Sequence, residues 1–153
     1  MAKIDVGSKI PDFELSDHSG NLFQISSLLG KKNLVIYFYP KDETPGCTAQ
    51  ACAFRDNYEE FKNAGAEVIG ISSDNAAEHS NFLKNHGLQF TLLSDENGKV
   101  RKLFGVPKSF FGLLPGRVTY VVDKDGIVRY IFNSQFNING HISQSLQILN
   151  SLD

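Results

Sequence analysis

The most constraining feature of this chain is the run Asn33 to Tyr39 (NLVIYFY), which is apolar, β-branched or aromatic almost throughout. Continuous runs of this kind are typical of strands that are covered on both faces, whereas strands with one face in water alternate. Pro40 ends the run. We therefore predict a central strand in a sheet that carries helices on both faces.

Strand and helix patterns alternate along the rest of the chain. The segments 13–15 and 22–25 flank turn-forming residues and predict an N-terminal β-hairpin. Further strands are predicted at 67–72, 90–93, 118–122 and 127–132, and helices at 48–64, 76–86, 97–104 and 139–152. Parallel strands joined through helices, with a closing antiparallel hairpin, are what a thioredoxin-like fold requires. We predict this α/β fold, a central mixed β-sheet flanked by helices, as a single domain over residues 1–153.

Composition and charge exclude several classes of protein. Hydrophobic residues make up 41% of the 153 residues and charged residues 21%, which is typical of a folded globular chain. The formal net charge of -2 gives no general attraction to nucleic acid. No apolar stretch approaches the roughly 20 residues that span a bilayer, so we expect no membrane partner.

The cysteine content predicts the compartment. Two cysteines are too few for a disulfide scaffold, so the fold must depend on its apolar core, and a reducing, cytoplasmic location is the default. The first residues, MAKIDVGSKIPDF, lack the features of a signal or transit peptide. A plastid form whose targeting segment has been removed would look the same and is the alternative.

Both cysteines, Cys47 and Cys52, lie in the stretch PKDETPGCTAQAC (40–52). Cys47 follows the predicted central strand and begins the next helix, and chemistry in open α/β sheets gathers at that end of the strands. The free N–H groups and the positive dipole end of a helix stabilise a thiolate, the nucleophilic form of cysteine. Free cysteines commonly pack as small hydrophobic residues, but this loop of turn-forming residues favours a reactive thiol.

The spacing of the two cysteines limits how they can react with each other. On one α-helix, residues i and i+5 lie ~7.5 Å apart along the axis and about 140° apart around it. Their Cα atoms are then roughly 8.7 Å apart, beyond the ~7 Å limit for a disulfide without backbone movement. The helix must therefore unwind before the pair can bond, which indicates a transient disulfide and not a structural one.

The same residues disfavour other kinds of site. A thioredoxin-type dithiol has the spacing C-x-x-C, and a zinc site needs more ligands than this stretch offers. We interpret the four histidines, His18, His79, His86 and His141, as surface or capping residues, and none lies in a motif of a Cys-His hydrolase. We expect no metal and no cofactor.

The stretch PKDETPGC (40–47) resembles the P-x-x-x-T-x-x-C signature of the peroxiredoxins. The longer form, PKDETPGCTAQAC, is similar to the bacterioferritin comigratory protein subfamily, called peroxiredoxin Q in plants and cyanobacteria. The resemblance extends over nearly the whole chain and includes VGSKIPDF (6–13), LSD (93–95) and GRVTYVVD (116–123). Together these motifs are specific to the family.

The resemblance implies a role for each residue of the motif. Cys47 would be the peroxidatic cysteine, Thr44 would hydrogen-bond the peroxide and the thiolate, and Pro40 would shield the site from water. Arg117 would be the cation that stabilises the thiolate and polarises the O–O bond, a task that suits the directed donors of a guanidinium group. Without the resemblance, Arg117 would be interpreted as a surface arginine at a strand edge. Gln50 is a candidate for a supporting contact only.

Cys52 matches the resolving cysteine of subfamily members that carry it in the same helix. The resemblance therefore implies a thiol-dependent peroxidase that reduces hydrogen peroxide and organic hydroperoxides to water and alcohols through a Cys47 sulfenic acid. Cys52 would condense with it to a transient intramolecular disulfide, which thioredoxin, or glutaredoxin in its place, would reduce. No cysteine follows in a C-terminal arm, and we expect a monomer.

Two other functions stay open from the sequence. A general disulfide oxidoreductase would use the same thiols, although the C-x4-C spacing and the Thr and Arg partners disfavour it. In a non-catalytic redox sensor, the Cys47–Cys52 disulfide would remodel a helix without turnover.

The segment 108–115 (KSFFGLLP) forms an apolar cluster next to Arg117. One interpretation is a loop packed on the core. The other is a wall of an apolar pocket that would help bulky alkyl or lipid hydroperoxides bind beside Cys47.

Overall fold

The computed structural model describes residues 4–109 and 114–152, and it begins with the predicted hairpin. Strands β1 (Glu14–Asp17) and β2 (Leu22–Gln24) pair antiparallel. The Asp17 carboxylate closes the turn between them by accepting the N–H groups of Ser19 and Asn21 at 2.9 and 3.0 Å. Short side chains that bond nearby backbone in this way favour turns over regular structure.

The remaining elements alternate between strand and helix, as the sequence predicts. They are β3 (Asn33–Phe38), α1 (Pro45–Asp56), α2 (Tyr58–Asn63), β4 (Ala66–Ser72), α3 (Ala76–His86), β5 (Thr91–Ser94), α4 (Lys99–Phe104), β6 (Lys108–Ser109), β7 (Leu114–Pro115), β8 (Val118–Val122), β9 (Val128–Asn133) and α5 (Ile138–Ser151).

Seven strands form one mixed sheet in the order β2-β1-β5-β4-β3-β8-β9. The pairs β3–β4 and β4–β5 are parallel, and β8 runs antiparallel to both β3 and β9. All six residues of β3 are buried, which confirms the prediction of a strand covered on both faces. Strand β3 is an inner strand of the sheet. Its carboxyl end is where α/β proteins place their chemistry.

Side chains of β3 alternate between two apolar layers, because successive residues of a strand point to opposite faces. Val35 and Tyr37 face one cluster with α1, α2, α3 and α5, whereas Leu34 and Ile36 face the other with α4 and the N-terminal segment. Helices therefore cover both faces of the sheet. Among the described residues, no helix is long and apolar enough to cross a membrane.

The predicted helix over 48–64 is wrong in one respect, because the structure has two helices there. Helix α1 begins three residues earlier, at Pro45, and Asn57 interrupts the run with φ -106° and ψ 12°. The side-chain amide of Asn57 donates to the carbonyl of Ala53 at 2.8 Å. Asparagine side chains that bond nearby backbone compete with helical hydrogen bonds, and this contact accompanies the break.

Strands β6 and β7 form a small separate ribbon before β8. They lie within the apolar segment predicted at 108–115, but its residues 110–113 lie outside the described residues. The pocket wall predicted there stays a prediction.

Candidate active site

Cys47 lies in the first turn of α1, at the helix position that the sequence predicts. Strand β3 ends at Phe38, and residues 39–44, which we call the cysteine loop, lead to Pro45 at the first helical position. Proline suits that position because its missing N–H would have no helical acceptor. The Cys47 thiol is free, and the residue is only 1% exposed.

Arg117 is the cation beside the thiol. It precedes β8, which pairs with β3 and so brings the guanidinium group to the start of α1. Its Nη2 donates to Cys47 Sγ at 3.4 Å, its Nη1 donates to Gln50 Oε1 at 2.6 Å, and its Nε donates to the Gln135 carbonyl at 3.1 Å. Three acceptors in different directions fix the plane of the group and hold its positive charge beside the sulfur.

Gly46 makes the approach of Arg117 possible. A Cβ atom at this position would lie 3.0 Å from Nη2 of Arg117, closer than ordinary van der Waals contact. A larger residue would therefore displace the guanidinium group from the sulfur.

Thr44 and Pro40 lie in the cysteine loop, both partly exposed. The Thr44 hydroxyl donates to the Lys41 carbonyl at 2.9 Å. It makes no hydrogen bond to the Cys47 sulfur among the residues that the structure describes. Of the predicted site residues, Arg117 bonds the Cys47 sulfur and Gln50 bonds Arg117, whereas Thr44 bonds the loop backbone before α1.

Cys52 lies on the same helix as Cys47, partly buried and also free. Because α1 is continuous from Pro45 to Asp56, the helical estimate of roughly 8.7 Å between the two Cα atoms applies. That separation exceeds the ~7 Å that a disulfide tolerates, so this conformation holds the two thiols apart.

Arg101 of α4 is a site neighbour for which the sequence offered no signal. Its guanidinium nitrogens donate to the carbonyls of Tyr39 at 3.0 Å and Gly116 at 2.9 Å, so it ties the cysteine loop to the residue before Arg117. Burial lowers the pKa of Arg101, and the carboxylate of Asp95 opposes that shift. A second, partly buried cation therefore holds the two sides of the site together.

Two of the four histidines are fully buried, so their interpretation as surface or capping residues is wrong. His79 lies between Asp42 and the Leu93 carbonyl, and His141 lies between the Thr119 hydroxyl and the Ser134 carbonyl. Both ring nitrogens of each have hydrogen-bond partners, which offsets the cost of burying a polar ring. His18 and His86 are partly exposed, closer to what the sequence suggests.

Potential metal-ligand atoms meet at one place within the described ranges. Single ligand atoms of Asp42, Asp74 and His79, all buried, lie within 4.8 Å of one another. Protein groups already bond them: Asp74 Oδ2 accepts from the Ser72 hydroxyl at 2.6 Å and from the Asp42 N–H at 2.8 Å. The cluster is therefore built as a hydrogen-bonded network.

One surface cleft lies away from this chemistry. It measures about 580 Å³ and is lined by Asn33, Asp123, Lys124 and Arg129, at the opposite end of β3 and β8 from Cys47. The cleft contains both acidic and basic side chains, and Asp123 is already paired with Arg129 at 2.6 Å. The cysteine end of the sheet is thus the better candidate site.

Comparison with known proteins agrees with this choice. The model of the AhpC/TSA family matches residues 6–131. The chain is 59% identical to peroxiredoxin Q, chloroplastic, of Oryza sativa subsp. japonica, over 98% of this chain and 69% of that protein.

Solved structures give the same result. Peroxidoxin BcpB of Mycobacterium tuberculosis superposes with a TM-score of 0.90 at 36% identity, covering 98% of this chain and 99% of that one. The bacterioferritin comigratory protein of Xanthomonas campestris has a TM-score of 0.85 at 31% identity, covering 96% and 98%. These likenesses confirm the thioredoxin-like fold. The chain belongs to the AhpC/TSA family, within its peroxiredoxin Q group, and is a thiol-dependent peroxidase.

Proposed function

We propose that Cys47 is the peroxidatic cysteine and that Arg117 activates both the thiol and the peroxide. The observation that carries this proposal is the contact of Arg117 Nη2 with Cys47 Sγ at 3.4 Å, in the first turn of α1. A guanidinium group and free helical N–H groups both favour negative charge at the sulfur. The same donors face the place where charge develops on the leaving oxygen.

In the first step, the Cys47 thiolate attacks one oxygen of the hydroperoxide and the O–O bond breaks. The leaving oxygen takes a proton and departs as an alcohol, or as water from hydrogen peroxide, while the sulfur is oxidised by two electrons to a sulfenic acid. Thr44 hydrogen-bonds the bound peroxide after its hydroxyl leaves the Lys41 carbonyl, and Pro40 limits the access of water. The bacterioferritin comigratory protein of Xanthomonas campestris has alkyl peroxide reduction activity, and this likeness supports the proposed substrate class.

In the second step, the Cys52 thiolate attacks the Cys47 sulfur, a disulfide forms and the sulfenic oxygen leaves as water. Helix α1 must unwind at its first turns for this step, because its regular geometry keeps the two Cα atoms roughly 8.7 Å apart. An external dithiol then reduces the disulfide to two thiols and becomes a disulfide itself. Thioredoxin is the proposed reductant, with glutaredoxin as its substitute, and the protein acts as a monomer.

The relatives are a better guide to the compartment of this protein than its cysteine content. The Oryza relative is named chloroplastic, which favours the plastid alternative over the cytoplasmic location predicted from composition. Both compartments supply dithiol reductants, so the proposed cycle is the same in either.

The decisive experiment is rapid mixing of the reduced protein with peroxide, for the wild type and Cys52→Ser. We expect Cys52→Ser to keep fast oxidation and to accumulate sulfenic acid at Cys47, detected by a sulfenate-specific reagent and by mass. Slow oxidation of both forms, at the rate of a free thiol, would contradict the proposal. Consumption of a single equivalent of peroxide by the wild type, despite a supply of thioredoxin and its reductase, would instead support a redox sensor.

Arg117→Ala tests the cation in the same assay. Loss of one preorganised donor commonly slows a reaction by about 100- to 1,000-fold, and we expect a decrease of that order in the oxidation rate. The matched control is Arg129→Ala, which removes an arginine at the opposite end of the sheet and should leave the rate unchanged.

A further inference from the structure

Helix α3 holds the cysteine loop through two carboxylate–histidine pairs. The loop supplies Asp42 and Glu43, and α3 supplies His79 and His86, which are seven residues apart and so lie on one face of the helix. We call these four residues the loop anchor. None of them touches the Cys47 sulfur in the described structure.

The inner pair of the loop anchor is fully enclosed. His79 Nδ1 lies 2.6 Å from Asp42 Oδ2, with relative exposures of 0% and 3% for the two side chains. His79 Nε2 lies 2.9 Å from the Leu93 carbonyl, which can only accept, so this nitrogen carries a proton. Two acceptors cannot bond each other, so the 2.6 Å contact between Nδ1 and the Asp42 carboxyl group also contains a proton.

Other groups complete the inner site. The Tyr39 hydroxyl donates to Asp42 Oδ1 at 2.5 Å, and burial raises the pKa of Tyr39 well above its usual value, so this hydroxyl keeps its proton. The Asp42 N–H donates to Asp74 Oδ2 at 2.8 Å. Both the side chain and the backbone of Asp42 are thus fixed to the body of the protein.

The outer pair holds a backbone that would otherwise relax. Glu43 has φ 65°, the one described residue other than glycine in the left-handed region, a conformation that costs about 1 kcal/mol or more. Its carboxylate accepts from Asn85 Nδ2 at 2.7 Å and contacts His86 Nε2 at 2.8 Å. The next residue, Thr44, precedes α1 and accepts the Thr48 N–H at 2.8 Å, so this strained point adjoins the turn that contains Cys47.

We propose that Asp42 and His79, supported by Glu43 and His86, are positioning residues that hold the cysteine loop in its peroxide-reactive form and oppose unwinding of α1. This inference rests on the proposed function, because it makes the loop anchor set the relative rates of Cys47 oxidation and disulfide formation. An intact loop anchor favours oxidation of Cys47 beside Arg117. Release of the anchor favours the unwound helix that Cys52 needs.

The test measures the two steps separately by rapid mixing. Asp42→Ala removes the inner pair, and we expect oxidation of Cys47 to slow by about tenfold while disulfide formation from the sulfenic acid accelerates by a similar factor. The conservative change Asp42→Asn should restore both rates toward wild type, because its amide can donate to a neutral His79 ring. Hydrogen exchange provides an independent readout: the Thr48 amide should exchange faster in Asp42→Ala.

A matched control and a second variant complete the design. Glu78→Ala removes the capping box of α3 without touching the cysteine loop, so it should lower stability and leave the ratio of the two rates unchanged. If Asp42→Ala does not fold, Glu43→Ala breaks the exposed outer pair instead. Oxidation of Cys47 should then slow and disulfide formation should accelerate, each by about two- to threefold.

The outcomes separate the two proposals. If both rates in the folded variants match wild type, or if both steps slow together, the loop anchor has no positioning role. If the wild type itself is oxidised no faster than a free thiol, the proposed function fails, whatever the variants do.

Discussion

His79 and His141 are equally buried, and each bonds a segment that adjoins the candidate active site. His79 bonds Asp42 of the cysteine loop, whereas His141 bonds the Ser134 carbonyl, next to the Gln135 carbonyl that accepts from Arg117. His79 faces two acceptors, a carboxylate and a carbonyl. His141 faces one carbonyl and the Thr119 hydroxyl at 2.7 Å, and a hydroxyl can donate, so a neutral ring satisfies both contacts. Partners, and not burial alone, decide which contacts of a buried histidine need a proton.

The titration of His141 agrees with that distinction. The pKa of His141 is lowered to about 4, mainly by burial and also by the charge of Arg117, while the hydrogen bond to the Ser134 carbonyl opposes the shift. His141 is therefore neutral at ordinary pH and serves as a fixed donor behind the segment that orients Arg117.

The largest effect should come from deleting the two rings in turn. His79→Leu leaves the buried Asp42 carboxyl group without its hydrogen-bonded partner, and we expect a loss on the order of 4 kcal/mol in the free energy of unfolding. His141→Leu leaves one hydroxyl and one carbonyl unbonded, a loss of about 2 kcal/mol. Urea unfolding at neutral pH measures both. His86→Leu, a partly exposed histidine on the same helix as His79, is the control, and equal losses at His79 and His141 would break the comparison.

A pH series should separate the two rings next. The folded pKa of His141, about 4, lies below its unfolded value, ~6.5, so between these values the unfolded chain binds more protons and stability falls as pH falls. The full contribution is present above pH ~6.5, and about 3 kcal/mol should be lost on reaching pH 4.

Other groups also titrate in this range, so His141→Gln is measured beside the wild type. The difference in unfolding free energy between the two proteins isolates the ring. It should shrink as pH falls from 7 to 4, and parallel curves would show that His141 is not the neutral group described above.

The smallest effect should come from the outer pair of the loop anchor. The Glu43 side chain is 46% exposed, and His86 and Asn85 lower its pKa through hydrogen bonds. Glu43→Gln should cost about 0.5 kcal/mol in unfolding free energy at low salt. In about 1 M NaCl, where screening acts within ~3 Å, the difference should shrink further, and a cost as large as that of His79→Leu would remove the distinction between inner and outer pairs.

Local patterns predicted most of the fold because each element is marked by its own residues. The apolar run after Asn33 gave β3, and the segment 76–86 gave α3, which an Asn75–Glu78 capping box begins and Gly87 ends at φ 60°. The break at Asn57 could not be read in the same way, since charged and apolar residues continue at helical spacing across it.

The site was predicted less completely, and the reason is its long-range contacts. Cys47 was found from its neighbours in sequence, and Arg117 only from the family resemblance. Arg101 reaches the cysteine loop through tertiary contacts that periodicity does not encode. His79 precedes Phe82 by three residues on the apolar face of α3, a signal that favours a buried ring, but its partner Asp42 is 37 residues away.

The interruption at Asn57 also gives α1 a boundary. An isolated helix shorter than ~12–15 residues is marginal in water, and α1 has 12 residues, so its stability depends on packed side chains such as Phe54. Helix α2 begins beyond the break and is anchored by Phe61, whose ring lies 5.4 Å from that of Phe54 in the same core cluster. Phe54 also stacks on Tyr37 of β3, so fraying that starts at Pro45 should stop before it reaches Phe54. The first turns of α1 are then a short segment that can open and re-form while the rest of the helix stays packed on the sheet.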